Sequence, residues 1–336
     1  MNLSSRNLHP KKQINFPGID FMEAVEIGGI EQALYFRGKD IQNPVILFIH
    51  GGPGQPEMVF LHKFQYELEK EYTVVQWDQR NSGKTFFMND PDAILKTMSF
   101  EQSLKDAHEV TQYIKQKLNK TKIIVLGHSW GSVIGTALAQ TYPHDYIAYI
   151  SLGQVVSFRE NERIGFQKLL NAANAKGNKK DIAAIESLAP YPLETYDEKL
   201  KEKLLNVRKY QAKYGLVEGS IKLLLAIMSS PHYSLKDKSY FGKDVLRYQE
   251  PIMRFLFNEC DVRNFGTSYD IPVFYIMGEQ DFNTPYIAAK EFFGEITAPQ
   301  KAFFTVSDAG HYVMLDNKTE FSRVLLKEIR PLLVSI

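Results

Sequence analysis

The chain has 336 residues, 44% of them hydrophobic and 12% aromatic, which is ample for a sizeable core in one or two domains. Its 40 basic and 39 acidic residues leave a formal net charge of +1, so no global field is available to hold nucleic acid or an anionic membrane. The single cysteine, Cys260, excludes an internal disulfide and any cysteine-based metal cluster, and reads as a small apolar residue.

Residues 1–20 are polar and basic and read as a loose arm without the apolar core of a signal peptide. No apolar run approaches the length of a membrane span, so a cytoplasmic protein is expected. Residues 21–29 and 30–38 alternate apolar and polar positions around Gly28-Gly29, a hairpin signal. Residues 44–49, PVILFI, form a continuous apolar run that predicts a central parallel strand. It ends in His50-Gly51-Gly52-Pro53-Gly54, more glycine than a simple turn requires, and leaves backbone N–H groups unshielded. Gly51 or Gly52, with Gly52 favoured, could offer such an N–H to a developing oxyanion.

Residues 57–70 have helical spacing and 72–77 form the next strand. The loop Asp78 to Thr85 lacks the glycine spacing of a P-loop, and Asp78 and Arg80 read as a structural ion pair or backbone clamp. Ser99 is the expected N-cap of a helix over 101–117, with Gln102 completing a capping box. Residues 122–126 then predict a buried strand running into Gly127-His128-Ser129-Trp130-Gly131, a G-x-S-x-G sequence, followed by a tightly packed helix over 132–140. Strand, sharp turn and helix are the context of a nucleophile elbow, with the Trp130 N–H at the helix start facing an oxyanion.

After a strand over 146–153 the pattern changes. Residues 154–269 are helical, with aromatic and leucine positions and no convincing strand. Strand patterning resumes at 271–278, ending in Glu279-Gln280-Asp281. A helix over 285–293, a strand over 301–306, a loop carrying Asp308 and His311, and a last helix over 317–333 complete the chain. This alternation predicts an α/β fold, a mostly parallel twisted sheet of about eight strands with helices on both faces. Residues 1–153 and 270–336 form the core domain, and 154–269 a helical cap inserted between strands, over the carboxyl ends where ligands bind.

Ser129, Asp281 and His311 fall at strand ends in the chain order of a serine triad on such a sheet. A serine hydroxyl needs a base, histidine titrates near neutrality, and a carboxylate fixes its tautomer. Glu279, Asp308 and Asp316 are weaker candidates for the acid. His50 and His128, beside motif glycines, read as orienting or structural. No H-E-x-x-H or carboxylate–histidine cluster suggests a metal, and no cofactor is expected.

Together, HGGPG at 50–54, WDQRNSGKT at 77–85, GHSWGS at 127–132, GEQD at 278–281 and the late His311 resemble the proline iminopeptidase group of the α/β-hydrolase fold. The resemblance implies a cofactor-free serine hydrolase that removes an N-terminal residue, typically proline, from small peptides. It carries catalytic roles to Ser129, Asp281 and His311, and oxyanion roles to Trp130 and a glycine of HGGPG. This chain departs from the group at Asn81, usually glycine, and at His128, where glycine is usual. The family holds the substrate amine with cap glutamates, for which Glu160 and Glu162 are the best-placed candidates, although both also fit exposed helix charges. An esterase, lactonase or amidase acting on a small ester or amide is the alternative, and a ligand-binding pseudo-enzyme a third reading. Ser129 excludes the elbow aspartate of haloalkane dehalogenases and epoxide hydrolases. The sequence specifies no oligomeric state.

Overall fold

The structure is a computed structural model that describes residues 3–8, 17–217 and 220–334. One nine-stranded sheet runs through it in the order β1-β2-β3-β5-β4-β6-β7-β8-β9. The strands are β1 (Ser5–Asn7), β2 (Ile19–Ile27), β3 (Ile30–Gly38), β4 (Val45–Ile49), β5 (Thr73–Asp78), β6 (Ile123–His128), β7 (Tyr146–Leu152), β8 (Val273–Gly278) and β9 (Lys301–Val306). From β5 to β9 every pairing is parallel, and β1, β2 and β3 add an antiparallel flank. The strand beyond the eight expected is β1, which lies within the segment expected to be a loose arm, where Ser5–Asn7 pairs with β2. Residues 1–2 and 9–16 of that segment lie outside the described residues.

Local chemistry accounts for these elements. Gly28 and Gly29 have φ of 54° and 75°, as a two-residue turn closing Ile27 onto Ile30 requires. In the central strands alternate residues serve opposite faces. Val45, Leu47, Ile49, Ile123 and Val125 pack on the elbow helix, whose Val133, Ile134 and Leu138 are buried. Ile46, Phe48, Ile124 and Leu126 pack with Phe321, Val324 and Leu325 of the C-terminal helices. Each such side chain contributes roughly 1.5–3 kcal/mol on burial, which fixes the register of strands covered on both faces.

Two expected helices are irregular. Residues 57–70 form a 3₁₀ turn (Glu57–Phe60), one α-turn (Leu61–Phe64) and a second 3₁₀ stretch (Gln65–Lys70). There buried Gln65 accepts from Gln76 of β5 and donates to Glu69, so the segment follows the sheet rather than its own period. The C-terminal helix is α over Lys318–Arg323, π over Val324–Ile329 and α again over Arg330–Val334. Ser99 caps the helix Phe100–Leu118 through the Gln102 N–H, but the Gln102 side chain donates to Asp106 instead of closing a capping box.

The named elements between β7 and β8 are all helical and include Phe158–Lys176, Glu198–Lys213 and Glu250–Asn258. They dock on the loops after β4 and β5. Tyr240 donates to the carbonyls of Gly54 and Asn81 at 2.8 and 3.2 Å, and Lys84 pairs with Asp237 at 2.6 Å. Among the described residues no helix is long and apolar enough to cross a membrane.

Candidate active site

The carboxyl ends of β4 to β9 share one edge of the sheet, and the loops that leave it carry the polar residues singled out in the sequence. At its centre β6 turns into the helix Trp130–Thr141 through Ser129, whose φ of 54° and ψ of −119° lie outside the regions an L-residue prefers. Such a conformation costs on the order of 1–3 kcal/mol and persists only where its surroundings enforce it. Here they do. A Cβ on Gly127 would lie 2.2 Å from the Gly131 carbonyl oxygen, and one on Gly131 would lie 2.0 Å from that of Ile49. The Ser129 N–H donates to Leu152 at 3.0 Å, and its carbonyl accepts from Ser132 N at 2.8 Å.

His311 Nε2 stands 2.9 Å from Ser129 Oγ, and His311 Nδ1 stands 2.9 Å from Asp281 Oδ2. Asp281 is fully buried. Its Oδ1 accepts from the N–H groups of Asn283 and Thr284 at 2.9 and 2.8 Å, and its Oδ2 accepts the Thr284 hydroxyl at 2.6 Å. Burial alone pushes this carboxyl up, but His311 and the Thr284 hydrogen bonds outweigh it and hold it below the ordinary carboxylate range. An ionised Asp281 can only accept, so His311 Nδ1 carries the proton and Nε2 turns its lone pair to Ser129 Oγ. The alternative acids are elsewhere. Glu279 and Asp308 are exposed, and Asp316 binds Gly310 N and Lys222.

Two buried histidines flank the serine in different states. His50 Nε2 accepts from Gln79 N at 3.1 Å, which leaves Nδ1 to donate to the Gly51 carbonyl at 2.9 Å. Burial pushes this neutral ring down to about 4, against the opposing effect of Glu57. His128 Nδ1 lies 2.6 Å from Glu57 Oε1, and its Nε2 lies 2.9 Å from the His311 carbonyl oxygen. Burial disfavours its charge, but Glu57 more than compensates and raises its proton affinity. Glu57 also accepts from Gly51 N at 3.2 and 3.3 Å, so that N–H is already engaged. Of the two glycines, that leaves the Gly52 N–H as the candidate donor from this loop. The Trp130 indole is fixed separately, donating to Gln79 Oε1 at 3.1 Å.

The other predicted positions are also placed. Asp78 and Arg80 do not pair with each other, because the turn sends their side chains to different elements. Arg80 forms a bidentate pair with buried Asp106 at 2.8 and 3.0 Å. Asp78 accepts from Lys84 N at 2.8 Å and from the Tyr233 hydroxyl at 2.5 Å, and burial pushes it up to about 7. Asn81 has φ 54°, a left-handed conformation that asparagine tolerates where glycine is usual. Glu160 pairs with Arg263 at 3.0 Å; Glu162 is buried and engaged by Arg208 and Tyr191. Neither carboxylate stands unpartnered. Burial pushes the Cys260 thiol up to about 12, so it is an inert core residue.

Sequence reasoning missed Glu57, Gln79 and Thr284. A charged residue inside the apolar run Pro56-Glu57-Met58-Val59-Phe60 is a weak signal of a buried carboxylate, and it passed as a helix start.

A strained serine between strand and helix, facing a histidine and an acid from later strands, defines the class. The chain belongs to the alpha/beta hydrolase fold family, which matches residues 44–318. It is 25% identical to the probable aminopeptidase YbaC of Bacillus subtilis (strain 168) over 93% of this chain and 97% of that one. It is also 25% identical to a probable proline iminopeptidase of Leptolyngbya boryana, over 86% and 87% of the two chains. Among solved structures, a proline iminopeptidase-related protein of Thermus thermophilus matches with a TM-score of 0.63 at 20% identity, covering 100% of both chains. That last likeness speaks to the fold alone.

Proposed function

We propose that the protein is a serine hydrolase that forms an acyl-enzyme on Ser129, and that it is an aminopeptidase releasing an N-terminal residue, proline-type, from small peptides. The observation carrying the first part is the unbroken relay of two 2.9 Å contacts from Ser129 through His311 to Asp281. Ser129 Oγ attacks the scissile carbonyl as His311 Nε2 takes its proton, and Asp281 stabilises the imidazolium. The N–H groups of Trp130 and Gly52 receive the oxyanion. His311 then gives its proton to the departing amine, and water releases the acyl group by the same steps in reverse order. In this reading residues 154–269 are the cap that covers the site.

The aminopeptidase part is supported by the names of the relatives that span nearly the whole chain. One observation favours a second reading, a small-molecule carboxylesterase, lactonase or amidase: Glu160 and Glu162 are already paired with arginines and are not free to hold an amine. A panel of aminoacyl and acyl chromogenic substrates separates the two. Release from prolyl or other aminoacyl substrates supports the aminopeptidase; turnover of short acyl esters alone rejects it. Ser129→Ala is expected to abolish covalent labelling by a fluorophosphonate probe, and retained labelling would reject the nucleophile.

A further inference from the structure

Glu57 and His128 are the most deeply buried charged partners beside the proposed nucleophile, 0% and 1% exposed. They lie 71 positions apart in the chain and meet at 2.6 Å. Each also reaches a different loop. Glu57 takes the Gly51 N–H of the loop after β4, and His128 reaches the His311 carbonyl of the loop after β9. His128 is itself the residue before Ser129. A carbonyl oxygen only accepts, so Nε2 must carry a proton; with Glu57 ionised, as its two contacts to Gly51 N favour, the 2.6 Å contact takes a second ring proton from Nδ1, whereas a protonated Glu57 would donate to that nitrogen instead.

We propose that Glu57 and His128 are positioning residues, a buried carboxylate–imidazolium clamp that holds the oxyanion loop and the general-base loop in register on either side of Ser129. The proposal rests on the reading of Ser129 as nucleophile. The reason for a charged pair is donor count. A neutral histidine has one N–H and cannot donate to both Glu57 and the His311 carbonyl; an imidazolium can, and Glu57 supplies the counter-charge that burial demands. The ionisable groups facing His128 are Glu57, His50, Asp281, His311 and Tyr312, the His311 ring lying 4.8 Å away between centroids. Among these, Glu57 alone touches the ring through a carboxylate. Because Gly51 precedes Gly52, a shift of the Glu57 side chain carries the Gly52 N–H with it, and a shift of His128 carries the backbone of His311.

The test uses Glu57→Gln and His128→Gln in the full chain. The first removes the counter-charge while keeping the shape; the second keeps a donor near the position of Nε2 and loses the contact with Glu57. Removing an oxyanion donor outright costs about 10²–10³ in kcat, so misplacing one through its support is expected to cost ~10- to 100-fold, with KM changed less than about threefold. Labelling by a fluorophosphonate should slow by the same factor. In the wild type, ¹⁵N-histidine NMR should show two hydrogen-bonded ring N–H protons on His128, both absent in His128→Gln and at most one remaining in Glu57→Gln. A folded variant with kcat within about twofold of wild type, or a single ring proton on wild-type His128, overturns the clamp. If a variant fails to fold, the wild-type ring protons still decide. A wild type that takes no label overturns the serine-hydrolase reading and this proposal together, whereas a labelled wild type with unslowed variants overturns the clamp alone.

Discussion

Replacing Asp281 by Asn probes the relay without changing its shape. In the wild type Asp281 Oδ1 accepts two backbone N–H groups, and Oδ2 accepts the Thr284 hydroxyl and the His311 Nδ1 proton. The two backbone donors fix the orientation of an asparagine, because they require its oxygen at the Oδ1 position. Its NH₂ group must then face Thr284 and His311, where it donates. His311 Nδ1 becomes an acceptor, the ring proton moves to Nε2, and the lone pair that faced Ser129 Oγ at 2.9 Å disappears. A wrong tautomer of this kind typically lowers kcat by about 10⁴, or roughly 5.4 kcal/mol of barrier. The assay is kcat on whichever chromogenic substrate the wild type turns over, beside the second-order rate of fluorophosphonate labelling. Thermal unfolding checks that the variant is folded. A folded Asp281→Asn enzyme that keeps more than a tenth of wild-type activity would refute the assignment of Asp281 as the orienting acid.

Three further predictions concern the surroundings of the site. Gly131→Ala places a Cβ 2.0 Å from the Ile49 carbonyl, so the elbow must open, and urea unfolding should show a loss of about 3 kcal/mol or no folded protein. Asp78→Asn should stabilise the protein selectively at alkaline pH. The folded carboxyl titrates near 7 against 3.8 in the unfolded chain, so wild-type stability falls as pH rises from 3.8 through 7, by up to about 4 kcal/mol. Asparagine removes that loss, so the Tm difference between variant and wild type should be positive at pH 8 and shrink or reverse toward pH 5; a difference independent of pH would contradict the burial argument. Glu162→Gln should destabilise by on the order of 2 kcal/mol, less than for a fully buried pair because Arg208 keeps 33% of its side chain exposed. The same variant should leave the ratio of aminoacyl to acyl turnover unchanged, and a selective loss of aminoacyl turnover would return Glu162 to the amine site.

Much of the architecture was legible because its causes are local. Alternation around Gly28-Gly29 names a hairpin, continuous β-branched runs name strands covered on both faces, and two glycines around Ser129 name a turn in which a side chain cannot fit. The failures were also physical. Residues 57–70 carry a helical period, yet buried Gln65 binds Gln76 and Glu69, and the segment bends to keep those bonds. Asp78 and Arg80 do clamp backbone, at Lys84 N and the Gly28 carbonyl, but not each other, because a bidentate carboxylate on the helix Phe100–Leu118 is the better acceptor for Arg80. Asn81, a departure from the family pattern by sequence, keeps the left-handed backbone that glycine usually provides.

By itself the sequence determined which residues could bear chemistry and at which strand ends they would emerge, because periodicity and turn chemistry act over a few residues. Only the tertiary structure decided partnerships. Ser129 and His311 are 182 positions apart, Asp78 and Tyr233 are 155, and Glu57 and His128 are 71. No local pattern encodes such meetings. They follow from the order in which parallel strands assemble, which brings the carboxyl ends of distant segments to one edge and forces each buried charge there to find its counter-charge.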